Sequence, residues 1–310
     1  MSVSLWQVWK SPMDNSVLDR TIRTMLFAYP FLNSFCIGKS ILGKEIPVLI
    51  LGGGKRKFLY VGAHHGMEWI TASLLLCFAD EFCRLYQSGG RIGKQPVVSL
   101  WNRFQLHIVP MLNPDGVNYA IHGVDNTQNP LYERVLAMNG GSNDFGHWQA
   151  NARGVDLNHN YNAGFAEYKK LEAEQGIACG APTRYSGEEP ESEPEVCALC
   201  NYIRFHLPLG AVFTFHTQGE ELFWKSRGKY VAKSEAAIRK LALESRYALN
   251  EAEGLAAYGG LTDWCIESCR TPAVTFECGK GRNPLPVSDF FPIYTRLRKT
   301  LFLAPTFFSK

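Results

Sequence analysis

Gly62-Ala63-His64-His65-Gly66-Met67-Glu68-Trp69-Ile70-Thr71 is the stretch around which the chain is organised. An apolar run, Phe58 to Gly62, stops there and a long helical pattern begins. In open α/β sheets, ligands bind outside the carboxyl ends of the strands. His65 and Glu68, three residues apart, therefore stand where a metal ion can be held at the mouth of a buried sheet. His64 is a rival ligand, but only His65 has the three-residue spacing to Glu68.

The rest of the chain predicts one domain of α/β class. Apolar β-type runs at Phe35–Gly38, Ile46–Leu51, Phe58–Gly62, Gln105–Pro110, Ala211–Phe215 and Ala273–Phe276 alternate with helical patterns. Leu18, Ile22, Leu26 and Phe27 give a first helix that Pro30 ends. Met67 to Tyr86 gives the strongest helix, and further helices are expected over 194–205, Lys229–Asn250 and Pro292–Leu303. Strands with little polar alternation between long helices imply a mixed, mostly parallel twisted sheet covered on both faces. Gly52-Gly53-Gly54-Lys55 reads as a hairpin turn between two strands. Ser192-Glu193-Pro194-Glu195 reads as a capping box. The stretches 116–157 and 158–190 read as long irregular segments.

Composition narrows the function classes. The 310 residues are 46% hydrophobic and 20% charged, ordinary for a globular protein. A net charge of +3 without a like-charged block gives no reason to expect nucleic acid, a membrane or an obligate protein partner. Glu188, Glu189, Glu191, Glu193 and Glu195 are expected to form a solvated loop and helix start. The nine cysteines are odd in number and scattered. Cys197 and Cys200 form a CxxC inside a helical pattern without a second pair, which fits reduced thiols better than a disulfide framework. Met1 to Gln7 lacks a basic segment followed by an apolar one, so a cytoplasmic protein is expected.

Three strand ends converge on one chemistry. Phe58–Gly62 leads to His65 and Glu68, Ala211–Phe215 to His216, and Ala273–Phe276 to Glu277. Two histidines and a glutamate are a ligand set for catalytic zinc that leaves one position open for water. A further carboxylate, Glu277, is then available as general base.

The motifs are more specific taken together. Gly62 to Thr71 resembles the first metal motif of the zinc carboxypeptidases of the M14 type. Asn113-Pro114-Asp115-Gly116 resembles that family's NPDG loop, and Gly154-Val155-Asp156-Leu157-Asn158 with Asn160 its substrate-carboxylate motif. His216 after Phe213-Thr214-Phe215, then Gly259 to Trp264, then Thr275-Phe276-Glu277 follow in the family's order. The resemblance covers roughly residues 20 to 305, within a single catalytic domain spanning 1–310. It implies one Zn²⁺ per chain on His65, Glu68 and His216, with Glu277 as catalytic base.

Departures from the family pattern bear on substrate. His159 stands where the family places an arginine to clamp a terminal carboxylate, and imidazole cannot make that fork. Trp148 is followed by Gln149 where an oxyanion arginine is usual, and Arg153 is the replacement expected here. Met67 stands where a cationic residue often precedes the glutamate ligand. The mobile tyrosine aligns with Leu255, and Tyr258 reads as structural. With Thr217-Gln218-Gly219-Glu220 and Gly279 to Pro286, these changes resemble a bacterial subgroup, the γ-D-glutamyl-diamino acid peptidases. That resemblance implies a murein peptide as substrate, with Asn158, His159, Lys280 and Arg282 binding it. Alternatives are a metallocarboxypeptidase on ordinary peptides, a zinc amidase or deacylase on N-acyl amino acids, or a muropeptide-binding protein without turnover.

Overall fold

A computed structural model describes residues 9–127 and 129–308. The N-terminal stretch Met1 to Gln7 lies outside them. The strands are β1 (Asn33–Lys39), β2 (Glu45–Leu51), β3 (Arg56–Gly62), β4 (Arg91–Ile92), β5 (Gln95–Pro96), β6 (Phe104–Val109), β7 (Val212–His216), β8 (Glu221–Phe223), β9 (Ala248–Asn250) and β10 (Ala273–Glu277). The helices are α1 (Asn15–Ala28), α2 (Ile70–Gln87), α3 (Val97–Arg103), α4 (Pro114–His122), α5 (Tyr132–Met138), α6 (Phe165–Glu174), α7 (Pro194–His206), α8 (Glu235–Ser245), α9 (Leu261–Glu267) and α10 (Phe290–Phe307).

Eight strands form one sheet in the order β1-β2-β6-β3-β7-β10-β8-β9, and β4 and β5 pair separately. The central strands β6, β3, β7 and β10 are parallel, with antiparallel pairs toward both edges. Side chains alternate along each strand, so each strand feeds both faces. Phe58 and Tyr60 of β3, with Phe213 and Phe215 of β7, pack into the core beneath α1, α2, α8 and α10. Leu59, Val61 and Val212 enter the opposite core with α7 and α9. The first core carries an aromatic stack across the strands: Tyr60 lies 5.0 Å from Phe213, and Phe215 lies 4.9 Å from Phe276. This is the expected single-domain α/β fold with a mixed, mostly parallel sheet. Among the described residues no helix is long and apolar enough to cross a membrane.

Several local expectations are corrected. β2 and β3 do not form a hairpin, because β6 lies between them and pairs with both. Gly54 is instead a crossing point: a Cβ there would sit 2.1 Å from the Arg103 carbonyl carbon. The capping box does not form, since Glu193 caps α7 without a side-chain bond. The Ser192 hydroxyl bonds the Asn160 amide (3.1 Å) and Glu193 (3.0 Å). The helix expected over Lys229–Asn250 is shorter. Lys233 and Arg246 adopt left-handed backbone on either side of it, at φ 75° and 59°, and Ala248–Asn250 joins the sheet beside β8. The two irregular stretches hold most of α4, then α5 and α6. Glu193 and Glu195 are buried rather than solvated.

Candidate active site

β3 ends in a turn that the sequence fixes on several sides. Ala63 takes a left-handed backbone (φ 45°), which costs a non-glycine residue energy. Its amide donates to the Thr71 hydroxyl (2.8 Å), and its carbonyl accepts from Asn113 N (3.0 Å). The Asn113 amide donates to the carbonyls of His64, Gln149 and Ala150. Gly66 lets α4 and the 148–150 segment close on this turn, because a Cβ there would meet the Gly116 carbonyl oxygen at 2.3 Å and the Trp148 carbonyl oxygen at 2.8 Å. Gly66 N and Met67 N then bond the carbonyls of Gln149 and Trp148.

The turn sends the two adjacent histidines to different places. His64 is buried, its Nε2 3.0 Å from the Tyr161 hydroxyl and its Nδ1 3.4 Å from Thr214 Oγ1. Burial, with His216 and His65 nearby, holds its pKa well below the usual imidazole range. His65 turns the other way, to Glu68 and His216. His65 Nδ1 lies 2.9 Å from Glu68 Oε1 and 3.3 Å from His216 Nδ1, which lies 3.0 Å from Glu68 Oε2. Ligands about 2.0–2.1 Å from a tetrahedral zinc ion stand roughly 3.3 Å apart, so these three side chains, each offering one atom, fit one ion.

Charge at the site is tightly matched. Burial opposes ionisation of Glu68, but the imidazoles of His65 and His216 outweigh it and lower its pKa. Burial likewise opposes a charged His65, and Glu68 and Asp156 outweigh it in the other direction. Asp156 Oδ1 lies 3.2 Å from His65 Nε2 and accepts from Asn158 N at the same distance, while Oδ2 accepts from Arg184 N (3.1 Å). A carboxylate on the far nitrogen of a ligand histidine fixes ring orientation and tautomer. The sequence reading gave Asp156 no role. Its signal was its place in the Gly154–Asn158 motif.

Glu277 ends β10 beside His216, its parallel partner in β7. Across the other edge it faces Glu221 of β8. Burial, then Glu68 and Glu221, raise its pKa against the pull of His65. A bound cation would oppose that rise.

The substrate-side residues are dispersed. Asn158 Oδ1 accepts from Leu261 N at the start of α9 (3.2 Å), so its amino group is the end that can face a ligand. His159 Nδ1 meets the Tyr258 carbonyl at 2.8 Å, and its ring stacks on Tyr168 at 4.2 Å. A carbonyl only accepts, so Nδ1 carries the proton. Tyr258 packs under the Arg227 guanidinium at 5.0 Å. The Arg153 guanidinium forks onto Glu193 at 3.0 Å and also reaches the Ser192 carbonyl. The structure does not bring that guanidinium against the three ligand atoms. Gln149 Oε1 bonds the Thr183 hydroxyl. Lys280 pairs with Glu220 (3.2 Å), and Arg282 is exposed.

Comparison with known proteins agrees with this geometry. The zinc carboxypeptidase family model, Peptidase M14, matches residues 18–300. The γ-D-glutamyl-L-diamino acid endopeptidase 1 of Lysinibacillus sphaericus is 33% identical over 281 residues, which are 91% of this chain and 69% of that protein. The crystal structure of thrombin activatable fibrinolysis inhibitor superposes with a TM-score of 0.75 at 21% identity, covering 99% of this chain and 76% of that one. Murein-tripeptide amidase MpaA from Escherichia coli O157 gives 0.52 at 21% identity, covering 90% and 92%. These two share the fold. With the family model matched from α1 to α10 and a histidine–glutamate–histidine cluster at its strand ends, the chain belongs to the M14 zinc carboxypeptidases, a family of metallopeptidases.

Proposed function

We propose that the protein hydrolyses the amide joining the γ-carboxyl of D-glutamate to meso-diaminopimelate in murein peptides. His65, Glu68 and His216 would hold one zinc ion, and Glu277 would be the general base. The observation that carries the substrate reading is His159. Its Nδ1 is committed to the Tyr258 carbonyl, and burial lowers its pKa, with Asp156 offsetting only part of that. A neutral imidazole with one free nitrogen cannot grip a terminal carboxylate as a guanidinium does. The relative from L. sphaericus is named for the γ-D-glutamyl-diamino acid bond, which supports the same class.

When bound, zinc supplies Lewis acidity that polarises a carbonyl and acidifies water. The chain's own groups do the rest. Glu277 takes a proton from the attacking water as it adds to the amide carbon. It returns that proton to the amine nitrogen as the C–N bond breaks. Asp156 keeps the His65 ring aligned. The Asn158 amino group and His159 Nε2 border the substrate, and Lys280 and Arg282 add positive charge beyond β10.

The test is product identification by mass spectrometry. Zinc-loaded protein should convert L-Ala-γ-D-Glu-meso-diaminopimelate to L-Ala-D-Glu and free diaminopimelate. No cleavage at any pH between about 5 and 9 would remove this substrate. Release of single residues from ordinary peptides, made faster by His159→Arg, would favour a general carboxypeptidase instead.

A further inference from the structure

The proposed substrate carries free carboxylates, yet the positions where the family pattern leads one to expect cations hold Met67, Gln149 and His159. Arg153 is matched by Glu193, and Arg227 by Glu267. Lys280 and Arg282 lie beyond β10, and Lys280 is paired with Glu220, so a cation on the Asp156 side of the site must come from elsewhere. We propose that Arg184 is that residue, and that its guanidinium binds a carboxylate of the substrate at the mouth of the metal centre. The proposal rests on the murein-peptide reading above and names which residue reads the charge.

Arg184 is anchored to the site through its backbone. Its N–H donates to Asp156 Oδ2 at 3.1 Å, and the other oxygen of that carboxylate contacts His65 Nε2. Its carbonyl accepts from the Tyr168 hydroxyl at 2.7 Å, the same ring that stacks on His159. The flanking residues are fixed too. Gln149 N and Ala150 N bond the Pro182 carbonyl, Thr183 bonds the Gln149 side chain, and Asp156 N bonds the Tyr185 carbonyl at 2.7 Å. Residues 182–185 thus run along the site from Gln149 to Asp156.

The backbone of Arg184 is also held in an unfavourable form. Its φ is +66°, left-handed for a residue with a long side chain. Strain of this kind persists where the surroundings over-determine it, and it clusters at ligand sites. Here both backbone polar groups are clamped, so the point from which the side chain departs is fixed. That side chain is exposed, and among the described residues no carboxylate forms an ion pair with it. A guanidinium is always charged and matches a carboxylate in a planar fork. An unmatched one, on a residue whose backbone N–H is two hydrogen bonds from His65, is suited to an anionic substrate.

The test compares wild type, Arg184→Ala and Arg184→Lys on three peptides. One is L-Ala-γ-D-Glu-meso-diaminopimelate. The others carry a carboxamide in place of either the D-glutamyl α-carboxylate or the diaminopimelate carboxylate next to the cleaved bond. Arg184→Ala should lose about tenfold to hundredfold in kcat/KM on the first peptide, mostly through KM. On one of the two amides the loss should shrink to about twofold or less, and that amide names the carboxylate. Lysine should restore part of the loss on the charged peptide. Equal losses on all three peptides, or no loss on the first, would overturn the proposal. If wild type turns over only ordinary peptides, the murein reading fails separately. The same comparison on a peptide with a C-terminal carboxylate or amide then decides Arg184.

Discussion

His216 and Glu277 are direct partners in the parallel pair β7–β10. The sheet register therefore places a proposed metal ligand and the carboxylate proposed as base side by side, at the ends of strands far apart in sequence. Neither depends on a loop for its position. Glu277→Gln keeps the shape and removes the proton acceptor. It should lower kcat by about 10²–10⁴-fold and leave bound zinc unchanged by elemental analysis. A variant with near wild-type turnover would mean that another group is the base.

Asp156 accepts hydrogen bonds on both oxygens. An amide there has one acceptor, so in either orientation its amino group faces a donor: His65 Nε2–H with Asn158 N–H, or Arg184 N–H. Asp156→Asn should weaken zinc binding roughly tenfold to hundredfold, read by competition with a chelator. Unchanged affinity would show that the His65 ring is held by its other contacts.

Glu195 is buried near Asp115 and Glu193, and burial first, then those carboxylates, push its pKa up to about 8 from an ordinary 4.5. Between those values the folded protein keeps a proton that the unfolded chain has released. Stability should therefore fall as pH rises through that window, by at most ~1.4 kcal/mol per pH unit from this group. Glu195→Gln mimics the protonated acid and should flatten the decline, measured by urea unfolding across the same range. An identical pH slope in the variant would mean that Glu195 is ionised when folded.

The Arg153 guanidinium meets a Glu193 carboxylate that is only 3% exposed. Arg153→Ala leaves that charge buried without its partner, which costs about 3–5 kcal/mol in such pairs. The low end is expected because the guanidinium itself is 40% exposed. Chemical denaturation should show the loss. Unchanged stability with a collapsed kcat would instead assign Arg153 to the oxyanion.

The cluster of His65, Glu68 and His216 was legible because its members sit at strand ends, where apolar runs break into polar residues. His65, Glu68, His216 and Glu277 are each marked by local sequence. The choice between His64 and His65 rested on spacing alone; what engages His64 is Tyr161, almost a hundred residues on. The Gly52–Lys55 hairpin was misread because strand order is a long-range property: β6 is inserted from beyond α2 and α3. The burial of Glu195 was invisible for the same reason, since Ile41, Asp115 and Asn151 surround it only in the fold. Arg184 lies in a loop without a motif, and only its backbone partners bring it to the site.

The central claim is that His65, Glu68 and His216 hold the zinc on which peptide hydrolysis depends. Titrating zinc into chelator-stripped protein, with bound metal and cleavage of the γ-D-glutamyl-diaminopimelate bond measured at each step, tests both parts together. Activity should rise in proportion to bound zinc and level off at one ion per chain, and His216→Ala should neither bind the ion tightly nor regain activity. Full activity in the stripped protein, or tight stoichiometric zinc binding in His216→Ala, would contradict the account.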